Sequence, residues 1–241
     1  MNILKKGCLG VFALAVMCLS MSAAKADQVF VLTGNNGVGN PYNVTATITQ
    51  SGSQLTLTLT NNLAGQNDVG QSISGFQFHI AGFSGTGFSG FSGTGREGNF
   101  NGATNEWDDV GGSSSADALT WALSNQGAGT FKVLAPFPKE TIAGVPSASD
   151  GNSFNYGSAN ASLQTGSHNP IVSNSATFVF TVTGLPDGAV FDNIVLFLGT
   201  GPEQVNCTDC NPPGVPEPAS MFLLGTGLLG AAASIRRRRR K

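Results

Sequence analysis

Residues 43–61, NVTATITQSGSQLTLTLTN, constrain the fold more than any other stretch, because apolar and threonine side chains alternate on both sides of a Ser-Gly pair. Val44, Ala46 and Ile48 alternate with Thr45, Thr47 and Thr49; Leu55, Leu57 and Leu59 alternate with Thr56, Thr58 and Thr60. A period of two belongs to an extended strand, whose successive side chains point to opposite faces. A two-residue turn at Ser51-Gly52 predicts pairing of Gln50 with Ser53, Ile48 with Leu55 and Thr47 with Thr56. In that register the apolar side chains share one face and the threonines the other, so turn chemistry and burial pattern agree.

The same short alternation predicts strands near residues 28–32, 73–81, 119–124, 131–135, 176–183 and 190–198, and no long helical period interrupts them. About eight strands, mostly antiparallel, make an all-β fold, an antiparallel β-sandwich of jelly-roll or immunoglobulin-like type. A β-solenoid would need a repeat of about 20 to 30 residues, which the chain lacks. Phe76, Phe78, Ile80, Phe178, Phe180, Val182, Ile194, Leu196 and Leu198 are the expected core. Two regions fall outside the pattern. FSGTGFSGFSGTG, residues 83–95, is too rich in glycine for a strand interior and is expected to be a mobile loop. Residues 136–170 are expected to run as an extended connection with one short strand near Phe154.

The two ends have a different character. Lys5 and Lys6, an apolar stretch from Gly7 to Met21 and small residues at Ala24 and Ala26 predict a signal peptide, residues 1–26, cleaved after Ala26. The body, residues 27–200, is followed by a proline-rich stalk, 201–214, and by a terminal segment, 215–241. In that segment Ala219 to Ile235 are uncharged, and as a helix they would reach roughly 25 Å, enough for a single transmembrane span with snorkelling arginines. Arg236, Arg237, Arg238, Arg239 and Arg240, with Lys241, form a basic block that stays on the cytoplasmic side by the positive-inside rule. The body between the two apolar segments is therefore expected to be exported.

Net charge of −2 conceals an asymmetry. All 14 acidic residues lie between Asp27 and Pro218 against three basic ones, Arg96, Lys132 and Lys139, so that span carries −11. A surface of that sign excludes nucleic-acid binding. Cys8 and Cys18 leave with the signal peptide. Cys207 and Cys210 remain as CTDC, for which a small local disulfide is expected in an oxidising compartment. A free pair and metal or redox chemistry are the other readings, but NPPG follows where a redox motif wants a helix, and both histidines are far off in sequence.

No arrangement selects a catalytic site, a metal or a cofactor, and the chain is read as no enzyme. A glycosidase could draw a carboxylate pair from Glu97, Glu106, Asp108, Asp109 and Glu140, yet no spacing singles one out. His79 alternates within an apolar strand, as a structural histidine does. NEWDD, residues 105–109, offers calcium-type oxygens beside an aromatic ring but lacks the alternate-residue spacing of a calcium loop.

The end of the chain resembles a known family. VPEP, a short apolar span and an arginine cluster are similar to the PEP-CTERM sorting signal of Gram-negative bacteria, also described as a VPEP-type or ice-binding-protein C-terminal motif. The resemblance covers residues 214 to 240. It implies processing by an exosortase, a membrane protease of bacteria that make exopolysaccharide, with Pro216, Glu217 and Pro218 as the sorting motif, Ala219 to Ile235 as the membrane segment and Arg236 to Arg240 as the basic stop. The expected route is export, retention in the inner membrane, then the cell surface or extracellular biofilm matrix, with extracellular polysaccharide as a further partner. The competing class is a carbohydrate-binding or adhesin module using Trp107 and Trp121 as platforms.

Overall fold

The computed structural model describes residues 27–112, 116–201 and 203–206. These form strands β1 (Gln28–Asn35), β2 (Pro41–Ser51), β3 (Gln54–Asn61), β4 (Ile73–Ile80), β5 (Phe88–Asn101), β6 (Glu106–Asp109), β7 (Asp117–Leu119), β8 (Ala122–Gly127), β9 (Thr130–Leu134), β10 (Ile142–Ala143), β11 (Ala148–Ser149), β12 (Ser153–Asn155), β13 (Ile171–Val182), β14 (Phe191–Leu198) and β15 (Glu203–Asn206). Two 3-10 turns accompany them, and no α-helix occurs among the described residues, so the fold is all-β. No helix there is long and apolar enough to cross a membrane. The expected signal peptide and C-terminal span lie outside the described residues.

The alternating run forms the β2–β3 hairpin, with a register two residues from the expected one. Ser51 pairs with Gln54, Ile48 with Leu57 and Thr47 with Thr58. Gly52 takes φ +58 as the first central residue of the turn, the position at which a type II′ hairpin turn places glycine. A shift of two leaves every side chain on its expected face, because the strand period is also two. Leu55, Leu57 and Leu59 are buried with Val44, Ala46 and Ile48. The threonine face continues onto neighbouring strands, since Thr58 lies opposite Thr177 and Thr177 opposite Thr94.

Hydrogen bonding runs β1-β2-β3-β13-β5, all antiparallel, and from β5 to β7 on one stretch and to β6, β12 and β11 on another. Strand β4 lies between β14, which carries β15, and β9, which carries β8. The short β10 joins the two rows, parallel to β13 through Ile142 and Val172 and antiparallel to β4 through Ile142 and Ile73. The inward faces of both rows supply one core. Phe78 of β4 stands 6.3 Å from Phe180 of β13, 5.9 Å from Phe131 of β9 and 5.6 Å from Phe191 of β14, ring centre to ring centre. All nine expected core residues are buried.

Strand β10 is anchored by a buried amide network. Asn61, at the end of β3, donates through Nδ2 to the carbonyls of Gln71 (2.9 Å) and Ile142 (3.1 Å). Gln66 donates to Ser72 Oγ at 2.7 Å and accepts from the Gly144 N–H at 2.5 Å. These bonds satisfy backbone groups that a two-residue strand cannot pair by itself.

The largest departure from expectation is β5, which occupies much of the glycine-rich stretch read as a loop. Its partner β13 explains why. A methyl at Gly93 would lie 2.8 Å from the Phe178 ring, and one at Gly95 would lie 2.7 Å from Val172 Cγ1. The glycines are spaces into which neighbouring side chains fit, so strand identity resides in backbone pairing and not in β5's own apolar residues. On the other face Gly98 meets the Phe154 ring in a smaller core of Trp107, Phe154, Tyr156, Leu163 and Ile171. There the Trp107 and Phe154 rings are parallel at 6.3 Å, and Tyr156 meets Trp107 edge-on at 5.1 Å.

Three smaller differences follow. The strand expected over 119–124 is broken at Thr120-Trp121, between β7 and β8. The 136–170 connection holds β10, β11 and β12, the last at the expected Phe154. Glu203–Asn206, read as stalk, pair as β15 with β14, and Glu203 Oε1 accepts from the Gly37 N–H in the β1–β2 turn.

Gly98→Ala is expected to destabilise the protein by about 1–3 kcal/mol, as overpacking of a closed core does. Gly151→Ala, where an added methyl meets nothing within 4 Å, is expected to stay within about 0.5 kcal/mol. Denaturant midpoints of the two variants against the parent check this contrast.

Candidate functional site

The structure selects one pair from the five candidate carboxylates and adds a third group that the sequence did not indicate. Glu97 of β5 feels the negative charges of Glu140, in the turn before β10, and of Asp117, at the start of β7. Asp117 accepts the Glu97 backbone N–H at 3.0 Å. Glu140 accepts the Thr120 N–H at 2.7 Å and the Thr120 hydroxyl. Its carbonyl takes the Trp121 indole N–H at 3.0 Å, and its own N–H reaches the Pro170 carbonyl at 2.7 Å. These bonds hold Glu140 at φ +55, a left-handed conformation unusual for a side chain of its size. Glu97 is 7% exposed, and its Oε1 is buried with no hydrogen-bond partner among the described residues. Burial, then the negative Glu140 and Asp117, push the Glu97 carboxyl up to about 7.

Asp109 and Asp108 bond to side chains of β5. Arg96 Nε donates to Asp109 Oδ2 at 2.5 Å, and Asp109's side chain has no exposure. The same guanidinium donates to the carbonyls of Asp150 (2.6 Å) and Ser153 (3.2 Å) and lies 5.1 Å from the Phe154 ring centre. One cation thereby ties β5 to β6 and to the β11–β12 turn. Asp108 accepts from Asn101 Nδ2 at 2.8 Å, and Glu106 is half-buried on β6.

Neither tryptophan is available as a platform. Trp107 is fully buried and Trp121 is 4% exposed, packed 4.9 Å from the Phe178 ring. The expectation of sugar-stacking surfaces at these residues is corrected: each sits on a short strand or strand break that another layer covers. His79 Nδ1 shares a 2.6 Å hydrogen bond with Asp192 Oδ1 across the β4–β14 pair. No group of three or more His, Cys, Asp or Glu residues among those described could hold a metal ion.

The tail residues have a sequence match in place of a described geometry. Residues 214–239 match the family model for the PEP-CTERM protein-sorting motif. The chain thus carries a PEP-CTERM sorting signal, of the kind processed by an exosortase. No curated protein and no solved structure matches the chain. Pro216, Glu217 and Pro218 and the basic stop Arg236 to Arg240 fall within the matched span or at its edge but outside the described residues, as do Cys207, Cys210, Ala24 and Ala26.

Arg96→Met leaves Asp109 as a buried charge without its partner and is expected to cost about 3 kcal/mol. In the Arg96→Met, Asp109→Asn double variant a good part of that loss should return. A double-mutant cycle by chemical denaturation measures the coupling, and additivity of the two changes would contradict the assignment.

Proposed function

We propose that this is a non-enzymatic exported protein, delivered by its PEP-CTERM signal and an exosortase to the cell surface or exopolysaccharide matrix. The single observation that carries the reading is the matched motif over residues 214–239. The order of its parts supports a mechanism. The basic block Arg236 to Arg240 halts translocation, Ala219 to Ile235 hold the chain in the bilayer, and the flanking prolines keep Glu217 in an extended backbone that a membrane protease can reach. Cleavage of the leader after Ala26 and a local Cys207–Cys210 disulfide belong to the same reading. The body is proposed to be a β-sandwich, supported by two rows of strands whose inward side chains share one core. It serves as folded cargo, and its excess of carboxylates favours solubility outside the cell.

Glu217→Ala is expected to leave the tail attached and the protein in the membrane fraction of a host that carries an exosortase. Release of the parent and retention of the variant, read by fractionation and by intact mass, are the expected results. Equal release of both would refute sorting through this motif.

A further inference from the structure

Glu97, Asp117 and Glu140 come from three separate stretches, and the bonds around them join β5, the 117–121 segment and the turn before β10. Two of the three carboxyl groups have donors. Asp117 holds the Glu97 N–H, and Glu140 holds both the N–H and the hydroxyl of Thr120. Glu97 alone is left with a buried oxygen that no described residue satisfies. The cations near it are placed elsewhere. Arg96, next along β5, gives its guanidinium to Asp109 and to the carbonyls of Asp150 and Ser153, and Lys139, before Glu140, is exposed. From β13 the residue opposite Glu97 is the uncharged Val172, and from β6 the nearby acid is Asp109, already paired with Arg96.

Three carboxylates cannot all be ionised in such a place without strong repulsion, since burial raises every interaction between them. The segment that faces this repulsion is lightly anchored. Strand β7 is three residues long and among the described residues pairs only with β5, from Gly93 opposite Leu119 to Gly95 opposite Asp117. Beyond it, Trp121 is held by its indole bond to the Glu140 carbonyl and by the Phe178 ring.

We propose that this junction is a proton-operated latch: with Glu97 protonated, the carboxyl cluster holds the 117–121 segment on β5 and on the 136–141 turn, and loss of that proton releases the segment. The direction follows from the acid's position. Its folded value, about 7, lies above the ordinary 4.5, so the stabilisation is fully present below 4.5 and is lost as pH rises through about 7. Opening uncovers Leu119, Trp121 and the Phe178 ring beneath them, so the exported body would present a different surface in acidic and in alkaline surroundings.

Hydrogen exchange of the purified full-length protein tests the latch, comparing amides of 117–121 with those of β2 and β3 at about pH 5.5 and about pH 8.5, corrected for the intrinsic pH dependence of exchange. Protection of 117–121 should fall by roughly tenfold or more between the two conditions while β2 and β3 keep theirs. Glu97→Gln should keep the segment protected at both. Unchanged protection in the parent, the same loss in Glu97→Gln, or an equal loss in β2 and β3 would overturn the proposal. Should Glu97→Gln fail to fold, Asp117→Asn keeps an oxygen for the Glu97 N–H and removes one charge. With one source of repulsion gone, the loss of protection between the two conditions must then be smaller, and an undiminished loss would overturn the latch equally.

Discussion

The close approach of β13 to the bare backbone of β5 is the constraint on which the rest of the molecule depends. Phe178 and Val172 occupy the volume that side chains at Gly93 and Gly95 would fill. With β13 seated there, its other edge takes β3, and through β3 the hairpin and β1. Its first residues take β10, which carries the connection to β4 and the second row. The two cores then lie on the two faces of β5, with Glu97 turned toward one and Gly98 toward the other. Buried polar groups appear where this arrangement needs a joint: the Asn61–Gln66 network under β10, the Arg96–Asp109 pair between β5 and β6, and the carboxyl cluster at β7.

Legibility of the fold from sequence tracks where the information for each element resides. The β2–β3 hairpin carries its own periodicity, so its faces were readable, and a turn displaced by one residue altered the register but not the faces. The phenylalanine-rich segments of β4 and β13 were readable for the same reason. Strand β5 was not, because its packing volume is supplied by Phe178, Val172 and Phe154 from distant parts of the chain. The sequence around NEWDD allows Trp107 to be tucked against the body but carries no sign of which residues cover it. Its burial comes from packing against Phe100 and against Phe154 and Tyr156, the last two far along the chain.

The sites divide along the same line. A sorting signal is recognised as a continuous segment, so its motif, apolar span and basic block were all visible in order. The Glu97, Asp117 and Glu140 cluster exists only once β7 lies on β5 and the 136–141 turn comes back against Thr120. Nothing in the spacing of these acids anticipates it, and Thr120, which binds Glu140 twice, carries no sequence signal at all.

Strand β5 also has a consequence for how the chain assembles over time. A glycine-rich segment has little local preference to become extended and must forfeit more backbone freedom than other residues on doing so. Its pairing with β13 closes a loop that includes β6 to β12, and the entropy of that closure precedes any gain from contact. The β2–β3 hairpin has no such delay. Seating of β5 therefore belongs to the late, slow part of folding, and until it occurs the edge of β13 that carries Phe178 stands open to pairing with another chain.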